Sequence, residues 1–212
     1  VDTPQTISVI KKELLKEQGA TSLTEALRNT PGITLQLGEN GNTSAGDSFQ
    51  MRGFDTKNSI YLDGIRDIGA ISRDIYNLEQ IEVIKGPSGA EAGRGGAGGY
   101  INLVSKLPHL ENSQEVSATY NTAEHSRLTA DINQALSTGT AIRLNVMAQE
   151  GGIDGRDYVE NNSYAIAPSI AFGLDSDTRF YLYSQHVRQR NIPDRGIPTT
   201  RIKRTYYNNT DP

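Results

Sequence analysis

The sequence predicts a two-part, strand-rich chain in which a small mixture of helices and strands precedes a series of amphipathic strands. Glycine accounts for 21 of the 212 residues and hydrophobic residues for 35%, a composition that suits strands and loops better than a helical bundle. Helical and strand-like patterns are mixed up to residue 106, whereas alternating apolar and polar residues fill 115–190. This change of pattern places a domain boundary near residue 106 and divides the chain into 1–106 and 107–212.

In the first part, glycines and loop-forming residues separate short elements. Residues 6–10 are predicted to form a strand, and a helix that follows ends at Gly19. Ser22 and Glu25 have the spacing of a capping box at the start of a second helix, which Pro31 and Gly32 end. Four more strands are predicted at 49–53, 59–62, 80–85 and 100–105.

In the second part, each predicted strand has one apolar and one polar face. The five strands are predicted near 116–121, 128–136, 142–149, 164–172 and 180–187. Pro168 is expected to interrupt the fourth strand at a bulge. Tight turns are predicted at 137–140 and 174–177, and long loops at 151–162 and after residue 189. Short turns alternating with long loops are typical of a membrane barrel, but the alternation of apolar and polar residues alone more often indicates a soluble β-sandwich.

The composition and the motifs exclude several classes of function. The chain has no cysteine, and its three histidines lack the spacing of zinc ligands, so we expect neither a metal site nor a cofactor. A net charge of −4 argues against nucleic acid as a partner. The glycine motif at 93–98 precedes a strand-like run where a dinucleotide site needs a helix. Because no acid, base and nucleophile come together, we expect that the protein is not an enzyme.

Six segments of the first part follow one another in an order and spacing found in a known family: 2–9, 23–32, 50–54, 61–65, 78–88 and 98–106. Together they resemble the plug domain of TonB-dependent outer-membrane receptors. Within that family, residues 44–48, 51–56, 63–67 and 71–74 are similar to the catecholate siderophore receptors of the Fiu/PiuA type.

The resemblance implies an α+β plug domain within a transmembrane antiparallel β-barrel of about 22 strands, of which about the first five are expected here. Such a small number of strands would leave an unpaired edge, so we expect a piece of a longer receptor. The signal peptide and the TonB box, which the family carries upstream of the plug, are not found before Val1. The implied location is the bacterial outer membrane.

The resemblance also implies a function, namely the binding of a ferric siderophore, here a catecholate, and its import into the periplasm by energy coupling through TonB. The other implied partners are outer-membrane lipid and lipopolysaccharide, and a monomer is expected. Hydroxamate siderophores, haem and cobalamin remain alternative cargoes. A passive porin and a soluble β-sandwich binding module remain alternatives outside the family.

A ferric catecholate is anionic, so its site is expected to present arginines and hydroxyl or amide donors in the loops at the outer face of the plug. We predict those loops at 36–48, 56–58 and 67–73. The predicted ligand-binding residues are Arg73 as the leading contact, with Arg66, Ser72, Asn40 and Asn42. The competing interpretation is that Arg73 pairs with Asp67 or Asp74.

Two other sets of cations have separate predictions. The resemblance implies that Arg52 and Lys85 are ionic anchors that face glutamates of the barrel wall. A basic stretch near the end of the chain could attract anionic cargo or contact lipopolysaccharide phosphates, but we favour a solvated loop. It comprises Arg188, Arg190, Arg195, Arg201, Lys203 and Arg204.

Overall fold

The first part of the chain forms two small sheets and two short helices, and the second part forms one large antiparallel sheet and a separate two-stranded sheet. The computed structural model describes residues 6–36, 46–56, 59–69, 71–86, 98–122, 124–153, 156–192, 199–202 and 205–208. The helices are α1 (Lys12–Glu17) and α2 (Leu23–Leu27). The strands of the first part are β1 (Thr6–Lys11), β2 (Ile33–Leu35), β3 (Phe49–Met51), β4 (Phe54–Asp55), β5 (Ile60–Leu62), β6 (Ile65–Arg66), β7 (Leu78–Lys85) and β8 (Gly99–Ser105). The strands of the second part are β9 (Ser113–Tyr120), β10 (Ser126–Ala135), β11 (Ala141–Glu150), β12 (Gly152–Ile153), β13 (Arg156–Phe172), β14 (Phe180–Tyr183), β15 (His186–Ile192), β16 (Thr199–Ile202) and β17 (Thr205–Asn208).

The first part, which we call the plug, is built around a five-stranded sheet in the order β1-β7-β8-β5-β6. A three-stranded sheet, β2-β3-β4, and both helices contribute to the same apolar core. Leu23, Leu27, Phe49 and Ile81 are completely buried there. The central strand β7 is paired on both sides, which explains its nearly continuous burial.

Local sequence signals set the ends of the plug elements. Gly19 ends α1 with a positive φ of 63°. The Ser22 hydroxyl accepts a hydrogen bond from the Glu25 amide at 3.2 Å, as the capping box predicts. The Glu25 carboxylate, however, accepts from the amide of Thr21 at 2.7 Å, one residue earlier than the motif requires.

A tight hairpin replaces the end of the strand predicted at 49–53. β3 stops at Met51, because Arg52 and Gly53 both adopt positive φ values, 51° and 83°, and form the two-residue turn into β4. Two consecutive residues of positive φ match the right-handed twist of the flanking strands. Arg52 therefore lies at the tip of a hairpin.

The second part, which we call the wall, has neighbouring strands in the order β9-β10-β11-β13, and β14 and β15 both pair with β13. The bulge predicted at Pro168 is wrong, because the register between β11 and β13 runs without a shift and pairs Pro168 with Leu144. The interruption lies in the neighbouring ladder instead, where β14 ends at Tyr183 and β15 begins at His186. The fifth predicted strand is therefore two strands.

Two predicted loops also contain strands. The segment 151–162 is largely paired, since β12 and the first part of β13 extend the hairpin. The loop predicted after residue 189 is wrong as far as Ile192, because pairing with β13 continues to that residue. Cross-strand pairing thus overrides the turn-forming glycines and aspartates that suggested loops.

The wall buries its polar face and exposes its apolar face, which is the reverse of a sheet in a soluble protein. Asn145 and Met147 are 0% and 2% exposed and face the plug, whereas Ile142 and Ile166, on the opposite face, are 40% and 41% exposed. Other large apolar residues share that exposed face: Val116, Tyr120, Leu128, Ile132, Tyr164, Phe172, Phe180 and Leu182. A soluble sandwich buries its aliphatic face, so the sandwich alternative is excluded.

The two ends of the wall differ. The turns at 136–140 and 173–179 lie at one end, which we call the periplasmic end because short turns face the periplasm in membrane barrels. At the opposite end, the outer end, β13 continues for eight residues beyond Tyr164. No helix in the described part of the chain is long and apolar enough to cross a membrane.

Candidate ligand-binding cleft

Arg73 lies at the centre of the outer part of the plug and binds four acceptors of the protein. Its Nε donates to Asp67 Oδ2 at 2.9 Å, and Nη1 donates to Asp47 Oδ2 at 3.1 Å. Nη1 also donates to the Ile71 carbonyl at 3.2 Å, and Nη2 donates to the Gly69 carbonyl at 2.9 Å. A guanidinium has five N–H donors, so these contacts leave one for a ligand.

These contacts hold two loops of the plug together. The Arg73 amide also donates to Asp47 at 2.9 Å, and the Asp47 amide donates to the Ile71 carbonyl at 3.1 Å. Burial raises the pKa of Asp47 even though Arg73 opposes the shift. Burial also acts on Asp67, but the hydrogen bonds from Arg73 and Gly69 outweigh it and lower the pKa of that carboxyl. Arg73 therefore clamps 46–48 to 67–73.

A cleft of about 310 Å³ lies between this clamp and the inner face of the wall, towards the outer end. Hydroxyl and amide groups from both sides dominate its lining: Thr21, Ser22, Thr24, Gln36, Ser48 and Ser72 from the plug, and Gln149, Asn161, Gln189 and Asn191 from the wall. The charged residues that line it, Asp47, Arg73 and Asp74, each have an ion-pair partner. The cleft thus offers many neutral hydrogen-bonding groups to a bound molecule.

Of the three predicted ligand-binding residues that the structure describes, Ser72 and Arg73 line this cleft and Arg66 does not. Ser72 lines it with an exposed side chain, and its carbonyl accepts a hydrogen bond from Gln189 of the wall at 2.9 Å. Arg73 lines it too but directs its donors into the plug. Arg66 lies apart, on β6, where it contacts the hydroxyl and the ring of Tyr61. Asn40 and Asn42 lie outside the described residues.

The predicted ionic anchors have no ion-pair partner among the residues that the structure describes. Arg52 is exposed at its hairpin tip. Lys85 is buried at the end of β7. Its side chain packs beside Gly32, since its Cε lies 3.9 Å from the position that a Cβ on Gly32 would occupy. Their attachment to wall glutamates stays a prediction.

A different ion pair joins the plug to the wall beside the cleft. Arg127 on β10 makes two hydrogen bonds to the carboxylate of Asp74, at 2.6 and 2.8 Å, and both side chains are 9% exposed. Arg127 also donates to Gln149 Oε1 at 2.8 Å.

Tyr76 of the plug also contacts the wall. It packs against Met147, and its hydroxyl accepts a hydrogen bond from Gln185 at 3.3 Å. Burial raises the pKa of its phenol to about 12.

A second cluster fastens the plug nearer the periplasmic end. Arg143 on β11 binds both oxygens of Asp131 at 2.8 Å and donates to the Leu107 carbonyl at 2.8 Å. Lys106, directly after β8, approaches the same carboxylate at 3.0 Å, and Glu79 lies 3.7 Å from Arg143. In the sequence, the charged residues that recur on the polar faces of β10 and β11 were the one sign of these contacts, both for the Asp74–Arg127 pair and for the cluster around Asp131.

In the described part of the chain, no group of three or more histidine, aspartate or glutamate residues could hold a metal ion.

Comparison with known proteins identifies the plug. Residues 1–100 match the family model described as the TonB-dependent receptor plug domain. Over these residues the chain is similar to that plug domain. The expected fold, a plug against the first strands of a barrel wall, is confirmed, as is the resemblance to outer-membrane siderophore receptors.

Similarity to two other proteins, Fiu and PiuA, extends beyond the plug. The chain is 52% identical over 199 residues to the catecholate siderophore receptor Fiu of Escherichia coli K12, covering 93% of this chain and 26% of that protein. The closed-form crystal structure of Fiu, a ferric-catecholate import receptor, superposes with a TM-score of 0.87 over 93% of this chain and 28% of that one. The siderophore receptor PiuA of Acinetobacter baumannii gives a TM-score of 0.87 at 37% identity, covering 94% and 28%. The chain thus spans about a quarter of the length of the relatives that it matches.

Proposed function

We propose that this chain forms the plug and adjoining wall of a TonB-dependent outer-membrane receptor that binds a ferric siderophore and imports it into the periplasm. The observation that carries the proposal is the polar cleft at the outer end of an inverted wall whose inner face is filled by the plug. A site in that position is open to cargo from outside, while the plug blocks passage beneath it.

Similarity to Fiu and PiuA supports a catecholate as the cargo. The cleft chemistry is compatible with that class, because hydroxyl and amide N–H donors can surround an anionic complex without competing for the ion pairs that hold the plug. Arg73 contributes by fixing the two loops and offers at most one N–H to cargo. The process needs no covalent chemistry, and the proposed activity is transport rather than catalysis.

The contacts between plug and wall oppose a passive pore. Asp74–Arg127 and the cluster around Asp131 fasten the plug at two levels, so movement of cargo requires work on the plug. We propose that the inner-membrane TonB protein supplies that work through the N-terminal side of the plug.

The test is iron uptake by cells that carry the full-length receptor containing this sequence, with radiolabelled iron presented as a catecholate or as a hydroxamate complex. We expect uptake of the catecholate complex in cells with TonB and loss of that uptake in otherwise identical cells without it. Uptake that is unaffected by loss of TonB would contradict the transport proposal. Equal uptake of the hydroxamate complex would contradict only the cargo class.

A further inference from the structure

Two asparagines of the wall lie opposite each other in the lining of the cleft. Asn161 on β13 and Asn191 on β15 are direct cross-strand partners, and both line the cleft. Directly opposed side chains of an antiparallel pair have Cβ atoms about 4.5–5.5 Å apart. One bound group can therefore contact both side-chain amides.

These two amides lie where the packing of the plug against the wall ends. Along the inner face of β13, Ala167, Ala165 and Ser163 are 4%, 3% and 6% exposed, and the two alanines belong to the apolar cluster of Tyr76. Asn161, the next residue of that face, is only partly buried, and Asn191 is exposed. Both amides are thus accessible to a molecule that enters from the outer end.

Most other polar side chains of the cleft already have partners within the protein. Gln149 bonds to Arg127 and Ser163, and Gln189 donates to the Ser72 carbonyl. The engaged side chains of the plug are Thr21 and Ser22, which bond to Glu25, Thr24, which bonds to Asp47, and Ser48, which bonds to Gln36. Among the residues that the structure describes, the side chains of Asn161, Asn191 and Ser72 make no hydrogen bond.

The structure of the wall does not itself require these asparagines. Asparagine is depleted in strands, and Asn162 shows how one can be accommodated, since its side chain accepts from the Gly151 amide and donates to Glu160, both at 3.1 Å. Asn161 and Asn191 make no such contact. A residue type that is unfavourable for its local structure and has no structural contact indicates a functional position.

The charged groups beside the cleft provide no free cation for an anionic ligand. Arg73 and Arg127 lie against three carboxylates, those of Asp47, Asp67 and Asp74, so two positive and three negative charges leave a balance of −1 when all are ionised. A neutral N–H donor still makes a charge-assisted hydrogen bond to an anionic oxygen, and each asparagine amide has two such donors.

Two arginines of the basic stretch do not provide that cation either. Arg188 and Arg190 lie in β15, so the prediction of a solvated loop is wrong for them. They pair with Tyr164 and Asn162 and face away from the plug. Arg201 lies in β16, and Arg195, Lys203 and Arg204 lie outside the described residues.

We infer that Asn161 and Asn191 determine cargo specificity by donating their N–H groups to the oxygens of an iron-bound catecholate, with the Ser72 hydroxyl as a third donor. The inference rests on the proposed siderophore uptake. Ser72 is tied to Gln189, which lies two residues from Asn191 on the same face of β15, about 7 Å along the strand. A catecholate is doubly deprotonated and a hydroxamate singly, so N–H donors bind the catecholate oxygens more strongly.

The test is equilibrium titration of the full-length receptor in detergent with the iron(III) complex of catechol. We expect Asn161→Ala and Asn191→Ala each to weaken binding about tenfold, the usual effect of losing a hydrogen bond to a charged oxygen. Asn191→Asp keeps the shape but has no N–H and should weaken binding at least as much. Arg190→Gln is the matched control, because it changes the neighbouring residue on the opposite face of β15, and it should leave affinity unchanged.

Two further measurements separate neutral donors from cations and specificity from affinity. The affinity of the parent protein should change little between about 0.05 and 0.5 M sodium chloride, since salt screens free charges; a steep fall would assign recognition to cations and overturn the inference. The preference for the catechol complex over the iron(III) complex of acetohydroxamate should shrink in both alanine variants. An unchanged preference would show that the two asparagines do not determine specificity.

Failure of the inference can be distinguished from failure of the proposed function. Unchanged affinity in both alanine variants, together with uptake that still requires TonB, would overturn the inference and leave the proposed function intact. A parent protein that does not bind the catechol complex would contradict the cargo class, and the inference with it. Heat-dependent gel mobility checks that each variant is folded.

Discussion

Replacing Arg127 with methionine is expected to release the outer part of the plug from the wall. The substitution keeps an unbranched apolar side chain but leaves the Asp74 carboxylate buried without its cation, at 9% exposure. Removing one partner of a buried ion pair costs about 3–5 kcal/mol. Because Asp74 also accepts the Tyr76 amide at 2.8 Å, the loss should spread along 71–76.

Hydrogen exchange of the folded full-length receptor measures this directly. Amides in 71–76 should exchange faster in Arg127→Met, while those of β7 should be unchanged. The double variant Asp74→Asn/Arg127→Met removes both charges and should recover part of the protection. Exchange identical to that of the parent protein would show that this pair does not hold the plug.

Replacing Arg73 with alanine is expected to disorder the rim of the cleft and to weaken cargo binding through that disorder. Asp47, whose side chain is 1% exposed, would lose its cation, and Asp67 would lose its partner at 2.9 Å. The cost of the uncompensated Asp47 charge is again about 3–5 kcal/mol. The Gly69 and Ile71 carbonyls also lose their donor, so the loop at 67–73 should open.

Titration of the parent protein and its variants with the iron(III) complex of a simple catechol separates a positioning role from direct contact. In a positioning role, Arg73→Met combined with Asp47→Asn should bind the complex more tightly than Arg73→Ala, because no charge is left buried. If Arg73 instead contacts the complex directly, both variants should lose affinity equally. Unchanged affinity in Arg73→Ala would exclude both roles.

Much of the plug could be predicted because its elements are set by neighbouring residues. The Ser22 cap, the glycine that ends α1 and the apolar run of β7 act within a few positions, and each occurs where the sequence places it. The alternation along β11 also predicted which residues share a face. Alternation could not show which face is outside, since that depends on whether lipid or water surrounds the sheet.

The contacts between plug and wall could not be predicted in the same way. Asp74 and Arg127 are 53 positions apart, and nothing local distinguishes either from a solvated surface charge. Arg73 illustrates the same limit, because its residue type suits an anionic ligand but its geometry directs four hydrogen bonds to the plug itself. Pairing across long sequence separations also determined where β13 and β15 begin and end.

The orientation of the wall is tested most directly by accessibility measurements in membranes. Spin labels can be attached at single introduced cysteines that replace Val146 and Ile166 on the outward face, and Met147 and Ala165 on the face towards the plug. In the full-length receptor in lipid bilayers, we expect collisions with oxygen, which concentrates in lipid, to be frequent at 146 and 166 and rare at 147 and 165. The opposite pattern, with oxygen reaching 147 and 165, would contradict a wall that faces lipid outside and the plug inside.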